Sequence, residues 1–308
     1  MRKIIGIGET VYGILFKDNQ PARGIPGGSA LNTMVSLGRV GLSGTLISEV
    51  GRDHIGRLIL SFLEENNVDT SYLYQFYDGK SPVSLAFLND RNEADYESYR
   101  NYPADRLDIV WPRIDADDLI LFGSFYSLYP ALRSTLTELL TFAQDRKAII
   151  CYDPDFSKDH ETDVLRVMPS LIENLEFANI VRGSVDDFRV IYKETDIDKI
   201  YRNHIRFYCP VFICTDGGGY VSLRTPSVSK QYEVAPCEIV SLVGAGDAFN
   251  AGLSYGITQC GVTLAELNSL EEAVWDRIIG YGILFSQEVC RQLDNYISRP
   301  FANSISSR

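Results

Sequence analysis

Val243-Gly244-Ala245-Gly246-Asp247-Ala248-Phe249-Asn250-Ala251-Gly252 sets three small residues directly ahead of an acid at the start of an apolar helix. Small residues let backbone approach a ligand, so the amides of Gly244, Ala245 and Gly246 can line an anion hole to which the helix dipole contributes. Asp247, in the first turn, can accept a proton from an attacking alcohol. An ordinary glycine-rich loop with an acidic helix start has the same composition. Upstream, short β-branched runs alternate with longer amphipathic ones. Residues 3–8, 45–50, 119–123, 148–152, 179–182 and 211–215 read as buried strands. Residues 29–40 (with Gly41 as C-cap), 54–66, 131–146, 164–176, 184–192 and 247–257 read as helices. Such βαβ alternation predicts a three-layer α/β/α fold whose mostly parallel sheet is covered on both faces. Residues 264–290 are expected to be helical and to pack outside it.

Two segments break the pattern, 12–25 and 82–102. In the second, residues 84–88 and 96–100 flank the turn-like Asn89-Asp90-Arg91-Asn92, so both read as hairpins. Hairpins inserted into a doubly wound sheet predict a small β lid over the crevice at the carboxyl ends of the parallel strands. No repeat, low-complexity stretch or linker divides the chain, and a single domain over 1–308 with lid hairpins at about 12–25 and 82–102 is expected.

At 308 residues and 45% hydrophobic, the chain can bury a large core. Its net charge of −12, from 29 Lys and Arg against 41 Asp and Glu, argues against nucleic acid as a partner. A small phosphate ligand is not excluded, because backbone amides hold an anion without side-chain charge. The first apolar run is broken by Gly6, Gly8 and Glu9, which is not the pattern of a signal peptide. No later run approaches the roughly 18 residues of a membrane span, so no membrane partner and a cytoplasmic location are expected. The six cysteines form no CxxC pair and read as reduced core thiols. His54, His160 and His204 are too scattered for a zinc site or a Ser-His-Asp triad.

A second glycine pair lies in Pro26-Gly27-Gly28-Ser29-Ala30-Leu31-Asn32. Ser29 reads as an N-cap, and Asn32, facing the same helix end, both donates and accepts, which suits a sugar hydroxyl. A turn before a routine helix would look alike. Together, the two glycine segments resemble the two signatures of the ribokinase-like PfkB carbohydrate kinases, an early GGxxxN helix and a late DTxGAGDxFxxG loop. Between them Gly123-Ser124, Asp153-Pro154 and Thr215-Asp216-Gly217-Gly218-Gly219 follow that family's order, and Tyr99-Arg100 with Pro103-Ala104-Asp105 resembles the lid return of fructokinase-like members. The resemblance spans nearly the whole chain.

It implies a ribokinase-like fold and magnesium-dependent transfer of the ATP γ-phosphoryl group to a sugar or nucleoside hydroxyl, with a fructose-like sugar favoured. Asp247 would be the base and Gly244, Ala245 and Gly246 the anion hole. Glu9, Gly27, Gly28, Asn32 and Arg100 would meet the sugar. Lys158, Ser184, Thr215 and Gly217 would meet the nucleotide and Asp187 the magnesium, and the lid hairpins would be the place for a homodimer to form. Several positions depart from the family pattern. Ser241-Leu242 replaces the Asp-Thr ahead of the glycine loop, so a monovalent cation site is not expected there, because leucine cannot ligate an ion. Gly13 stands where fructokinase-like members carry a sugar-binding Asp. The DPN motif reads Asp153-Pro154-Asp155, Ser157 replaces a usual Arg and leaves Lys158 as a point charge, and the NxxE motif becomes Ser184-Val185-Asp186-Asp187. The competing reading is a ribokinase-fold protein that binds nucleotide or sugar with little turnover. A dinucleotide site at Gly6-Ile7-Gly8 fails because Val11 replaces its third glycine, and no P-loop pattern occurs.

Overall fold

The computed structural model of the protein describes residues 2–88 and 94–306; the expected turn at 89–92 lies outside them. The chain forms two compact units, each assembled from three stretches. The first takes residues 5–112, 237–252 and 284–308, and the second takes residues up to Ile4, 113–236 and 253–283.

In the first unit β1 (Ile4–Ile7) is apolar throughout and buried, a pattern that suits a strand covered on both faces. After it β2 (Val11–Lys17) and β3 (Gln20–Gly27) form a hairpin. Asp18 and Asn19 connect them at φ 52° and 58°, the paired left-handed residues of a type I′ turn. Helix α1 (Ser29–Arg39) leads to β4 (Gly44–Gly51), and α2 (His54–Glu65) to β5 (Val68–Asp69) and β6 (Leu73–Phe76). Strand β4 pairs in parallel with β1, β5 and β6. The second hairpin is β7 (Lys80–Leu88) with β8 (Ala94–Asn101). Because β7 lies parallel to β2, the two hairpins join in one small sheet ordered β3-β2-β7-β8.

Asp53 caps α2, accepting from Gly56 N at 2.8 Å and also from Ser81 N and Oγ at 2.8 Å each, so it ties the helix to β7. Burial pushes its carboxyl up, but these hydrogen bonds and the Lys80 charge outweigh it and hold it below its ordinary value of 3.8. Asp53→Ala is expected to cost about 2 kcal/mol in urea unfolding at pH 7. A depressed carboxylate stabilises the fold above its unfolded pKa and loses that effect as pH falls through the folded one. The gap between wild type and variant should therefore narrow below pH 3.8; a gap as wide at pH 2.5 would refute the assignment.

The second unit carries β9 (Leu119–Gly123), α3 (Pro130–Asp145), β10 (Ile149–Asp153), α4 (Val164–Phe177), β11 (Ile180–Ser184), α5 (Val185–Tyr192), α6 (Ile197–Ile200) and β12 (Val211–Asp216). Strands β9 to β12 pair in parallel in chain order. They are continued by antiparallel β13 (Tyr220–Arg224) and β14 (Ser229–Glu233). The alternation read from the sequence thus produces the mostly parallel α/β sheet. Cys151, Cys209 and Cys214 lie in its core as free thiols, and burial pushes each up to about 12. Helix α7 (Ala245–Gln259) follows, then α8 (Glu272–Cys290) and α9 (Arg299–Ser306). The helix expected over 264–290 starts only at Glu272. Thr263 gives both its N–H and its hydroxyl to Glu266, which closes a separate turn ahead of it. Among the described residues no helix is long and apolar enough to cross a membrane.

Candidate active site

Helices α1 and α7 begin side by side in the first unit. The residue before α1 is Gly28, at φ 116°, where L side chains are strained. A β-carbon on it would lie 2.2 Å from the Glu9 carbonyl oxygen. Gly28 therefore takes the cap position that sequence reasoning gave to Ser29, and the Ser29 hydroxyl points elsewhere. It donates to Asp247 Oδ1 at 2.5 Å, and Asn32 Nδ2 donates to Asp247 Oδ2 at 2.8 Å. Thr33 Oγ1 donates to the Asp247 carbonyl at 3.1 Å. Ser29, Asn32 and Thr33 share one helix face by their i, i+3, i+4 spacing, and that spacing was the available signal for Ser29 and Thr33, which motif reasoning missed. Asn32 is 4% exposed, and its Oδ1 is buried without a hydrogen-bond partner. A buried unpaired acceptor marks a place where a ligand donor belongs.

Ahead of α7, Gly244 adopts φ 82°. Ala245 N already donates to Leu242 O at 3.2 Å, so of the three amides assigned to an anion hole those of Gly244 and Gly246 are left for a ligand. Ser241 and Leu242 are fixed upstream, where Val240 and Ser241 N–H groups both point at the Cys290 carbonyl, at 2.8 and 3.3 Å. The Leu242 side chain is apolar and half exposed, 56% by area, and offers nothing to a monovalent cation.

The sugar-side candidates Glu9 and Arg100 are brought together, but onto each other. Arg100 grips the Glu9 carboxylate with two hydrogen bonds, at 2.7 and 2.9 Å, and Tyr102 adds its hydroxyl at 2.6 Å. The Arg106 guanidinium stacks 3.6 Å from the Tyr102 ring centroid and pairs with Glu49, which is fully buried. Glu49, Tyr102 and Arg106 were not singled out from the sequence, which shows no motif there. Gly27 closes β3 and is buried.

In the second unit the nucleotide-side candidates gather at the carboxyl ends of β10, β11 and β12. Buried Arg182 on β11 donates to Asp153 at 2.8 Å and to Thr215 Oγ1 at 2.9 Å. Burial pushes its guanidinium down, but the Asp153 carboxylate outweighs that and raises it. Ser184 and Asp187 form the capping box of α5. One Asp187 oxygen accepts from Ser184 N and Oγ at 2.6 and 2.7 Å, the other from Phe156 N at 2.8 Å. Burial, with the Asp153 charge second, raises the Asp187 carboxyl above its ordinary value. Asp155 sits at φ 41°, in the left-handed region that Asn, the family residue, also tolerates. Lys158 is exposed at the start of a 3₁₀ turn, and Gly217 lies in the exposed turn between β12 and β13.

Two glycine loops that converge on an acid at a helix start, in a mostly parallel α/β fold with a small β sheet, define a ribokinase-like sugar phosphotransferase. The model of the pfkB family of carbohydrate kinases matches residues 3–274. The chain belongs to that family, a phosphotransferase by class with a sugar hydroxyl as acceptor. It is 26% identical to fructokinase from Escherichia coli, over 86% of this chain and 87% of that one. It is 25% identical to probable fructokinase-6, chloroplastic, of Arabidopsis thaliana, over 79% of this chain but only 65% of that longer protein. Fructokinase from Vibrio cholerae O395, crystallised with fructose, ADP and a calcium ion, superposes with a TM-score of 0.83 at 15% identity, covering 99% of this chain and 98% of that one.

Proposed function

We propose that the chain is an ATP-dependent kinase of a fructose-like sugar in which Asp247 takes the proton of the attacking hydroxyl. The observation that carries this reading is the Asp247 carboxylate, held from both sides by Ser29 and Asn32 at the head of α7. Fixing both oxygens aims the base and prevents rotation away from the hydroxyl. The N–H groups of Gly244 and Gly246, at the positive end of the helix, would receive the charge of the transferred phosphoryl group. The unpaired Asn32 Oδ1 would accept from the sugar, and Gly27 and Gly28 would let it approach. Glu9 and Arg100, paired with each other, would meet the sugar from the side of β8.

For the nucleotide we infer contacts from Lys158, Ser184, Thr215 and Gly217. Asp187 would hold magnesium through water, because its oxygens already accept three hydrogen bonds, from Phe156 N and from Ser184 N and Oγ. A Mg²⁺ carried by the ATP phosphates, with that carboxylate beyond its water shell, would neutralise phosphate charge. The small sheet would act as a lid. Its outer strands β3 and β8 each have a neighbour on one side only in the sheet order, and such edges can pair with a second copy.

A coupled ADP-release assay across hexoses, pentoses, sugar acids and nucleosides tests the reading. Turnover with one sugar class, fructose-like first, is the expected result. Silence across the panel while ATP or a sugar still raises the melting temperature would replace the kinase by a binding protein. Sedimentation as a monomer at all working concentrations would dispose of lid pairing.

A further inference from the structure

Between α8 and α9, Asn295 touches both glycine loops of the site. A β-carbon on Gly244 would lie 2.4 Å from the Asn295 carbonyl oxygen and 2.7 Å from its Cα, so the main chain of residue 295 is in contact with the anion loop. Its side chain reaches the other loop, where a β-carbon on Gly27 would lie 3.6 Å from Asn295 Nδ2 and 3.9 Å from Asn32 Oδ1. One point beside Gly27 therefore lies within 4 Å of both the Asn295 amide and the Asn32 amide oxygen. The acceptor's identity is settled by its neighbour. Asn32 gives Nδ2 to a carboxylate, which only accepts, and so Oδ1 is the atom left over. That atom is buried with no hydrogen-bond partner, and the Asn295 side chain beside it is half-buried.

The segment holding Asn295 is fixed on each side. Arg23 of β3 pairs with Asp294 at 2.5 Å. Arg39 of α1 stacks 4.5 Å from the Tyr296 ring centroid and donates to the Ile297 carbonyl at 2.7 Å. An amide presented by restrained backbone is pre-organised for a ligand. Of the groups a sugar offers, a hydroxyl donates to Asn32 Oδ1 and accepts from Asn295 Nδ2 at once. A carbonyl or carboxylate meets only the donor, an ammonium only the acceptor, a methylene neither.

We propose that Asn295 is a specificity-determining residue which, with Asn32, clamps a hydroxyl of the sugar next to the one deprotonated by Asp247; this rests on the kinase reading above. The substrate class it selects is a polyol with adjacent hydroxyls, and a deoxy sugar lacking the clamped group leaves both amides unpaired.

The test compares wild type with Asn295→Ala and the similarly sized Asn295→Leu, using the panel sugar that serves wild type best and each of its monodeoxy analogues. The expected result is a fall of about 10-fold in kcat/KM for the parent sugar, carried mainly by KM. One deoxy analogue should be used equally by wild type and variants. A uniform loss for parent and every analogue would mean that the substitution only disturbs the loop packed on Gly244, and unchanged discrimination would mean that the side chain does nothing; either overturns the clamp. A sugar that raises the wild-type melting temperature without ADP release would sink the kinase reading alone. The clamp would then be decided by whether the variants lose the thermal shift of the parent and keep that of one analogue. A wild type whose melting temperature and ADP release no panel sugar alters would overturn the clamp itself.

Discussion

Asp247→Asn is expected to lower kcat by about 10³-fold, with the sugar KM within about threefold of wild type and the fold intact. The neighbours of residue 247 make the substitution clean. An asparagine there can still accept from Asn32 Nδ2 through its carbonyl, while its new NH₂ donates to the Ser29 hydroxyl, which can reverse its role. Both hydrogen bonds survive, the shape is unchanged, and the proton acceptor is lost. Loss of turnover can therefore be read as chemistry, provided the thermal midpoint and sugar-induced stabilisation match wild type. A variant that keeps a tenth or more of wild-type kcat would remove Asp247 from the role of base.

Gly244→Ala acts on the same reaction through the backbone. An L residue at φ 82° costs about 1–2 kcal/mol. Here the new β-carbon would also stand 2.4 Å from a main-chain oxygen of Asn295, and backbone cannot rotate aside as a side chain does. A total near 3 kcal/mol is expected. Displacement of the Gly244 amide should further lower kcat by about 10²-fold. Gly217→Ala is the control, because it also has a positive φ, 45°, but nothing lies within 4 Å of its β-carbon. Its cost should be about 1 kcal/mol, from strain alone. Equal destabilisation of the two variants in urea would show that the contact with Asn295 is not what makes Gly244 necessary.

Elements buried on both faces were read from the sequence almost to the residue. Leu119–Gly123 has the bounds its apolar run predicts, because a strand inside a parallel sheet has no polar face to blur its ends. The two-residue β5 and the short β6 have too few residues to show any period, and α9 follows a loop that is fixed by Arg39 and by the bond from Arg299 to the Glu65 carbonyl, partners far away in sequence. In the site, Asn32 and Asp247 could be paired only through the resemblance of their two motifs, since they are 215 residues apart. Ser29 was misread because its environment is set by the φ of Gly28, which the letters do not disclose. Glu9 and Arg100 were each assigned to the sugar, and the pairing between them is what the letters could not show. Asn295 has no local mark: an Asn in Leu293-Asp294-Asn295-Tyr296 looks like any loop residue until Gly27 and Gly244 are placed beside it.

The way the chain passes back and forth between its two units bears on its biosynthesis. Ser29 leaves the ribosome 218 residues before the carboxylate it will hold, an interval of about 10–40 s at ordinary translation rates. Asn295 emerges later still. Throughout that interval the nascent α1 carries a face of hydroxyl and amide groups with no acid to meet and must be kept from other partners. The first unit must wait for its stretch from residue 284, which is made after the whole of the second, and the second in turn needs chain made after two stretches of the first. Such a protein is expected to fold late and as a whole, with heavy use of cellular chaperones, in contrast to proteins whose domains follow one another along the chain.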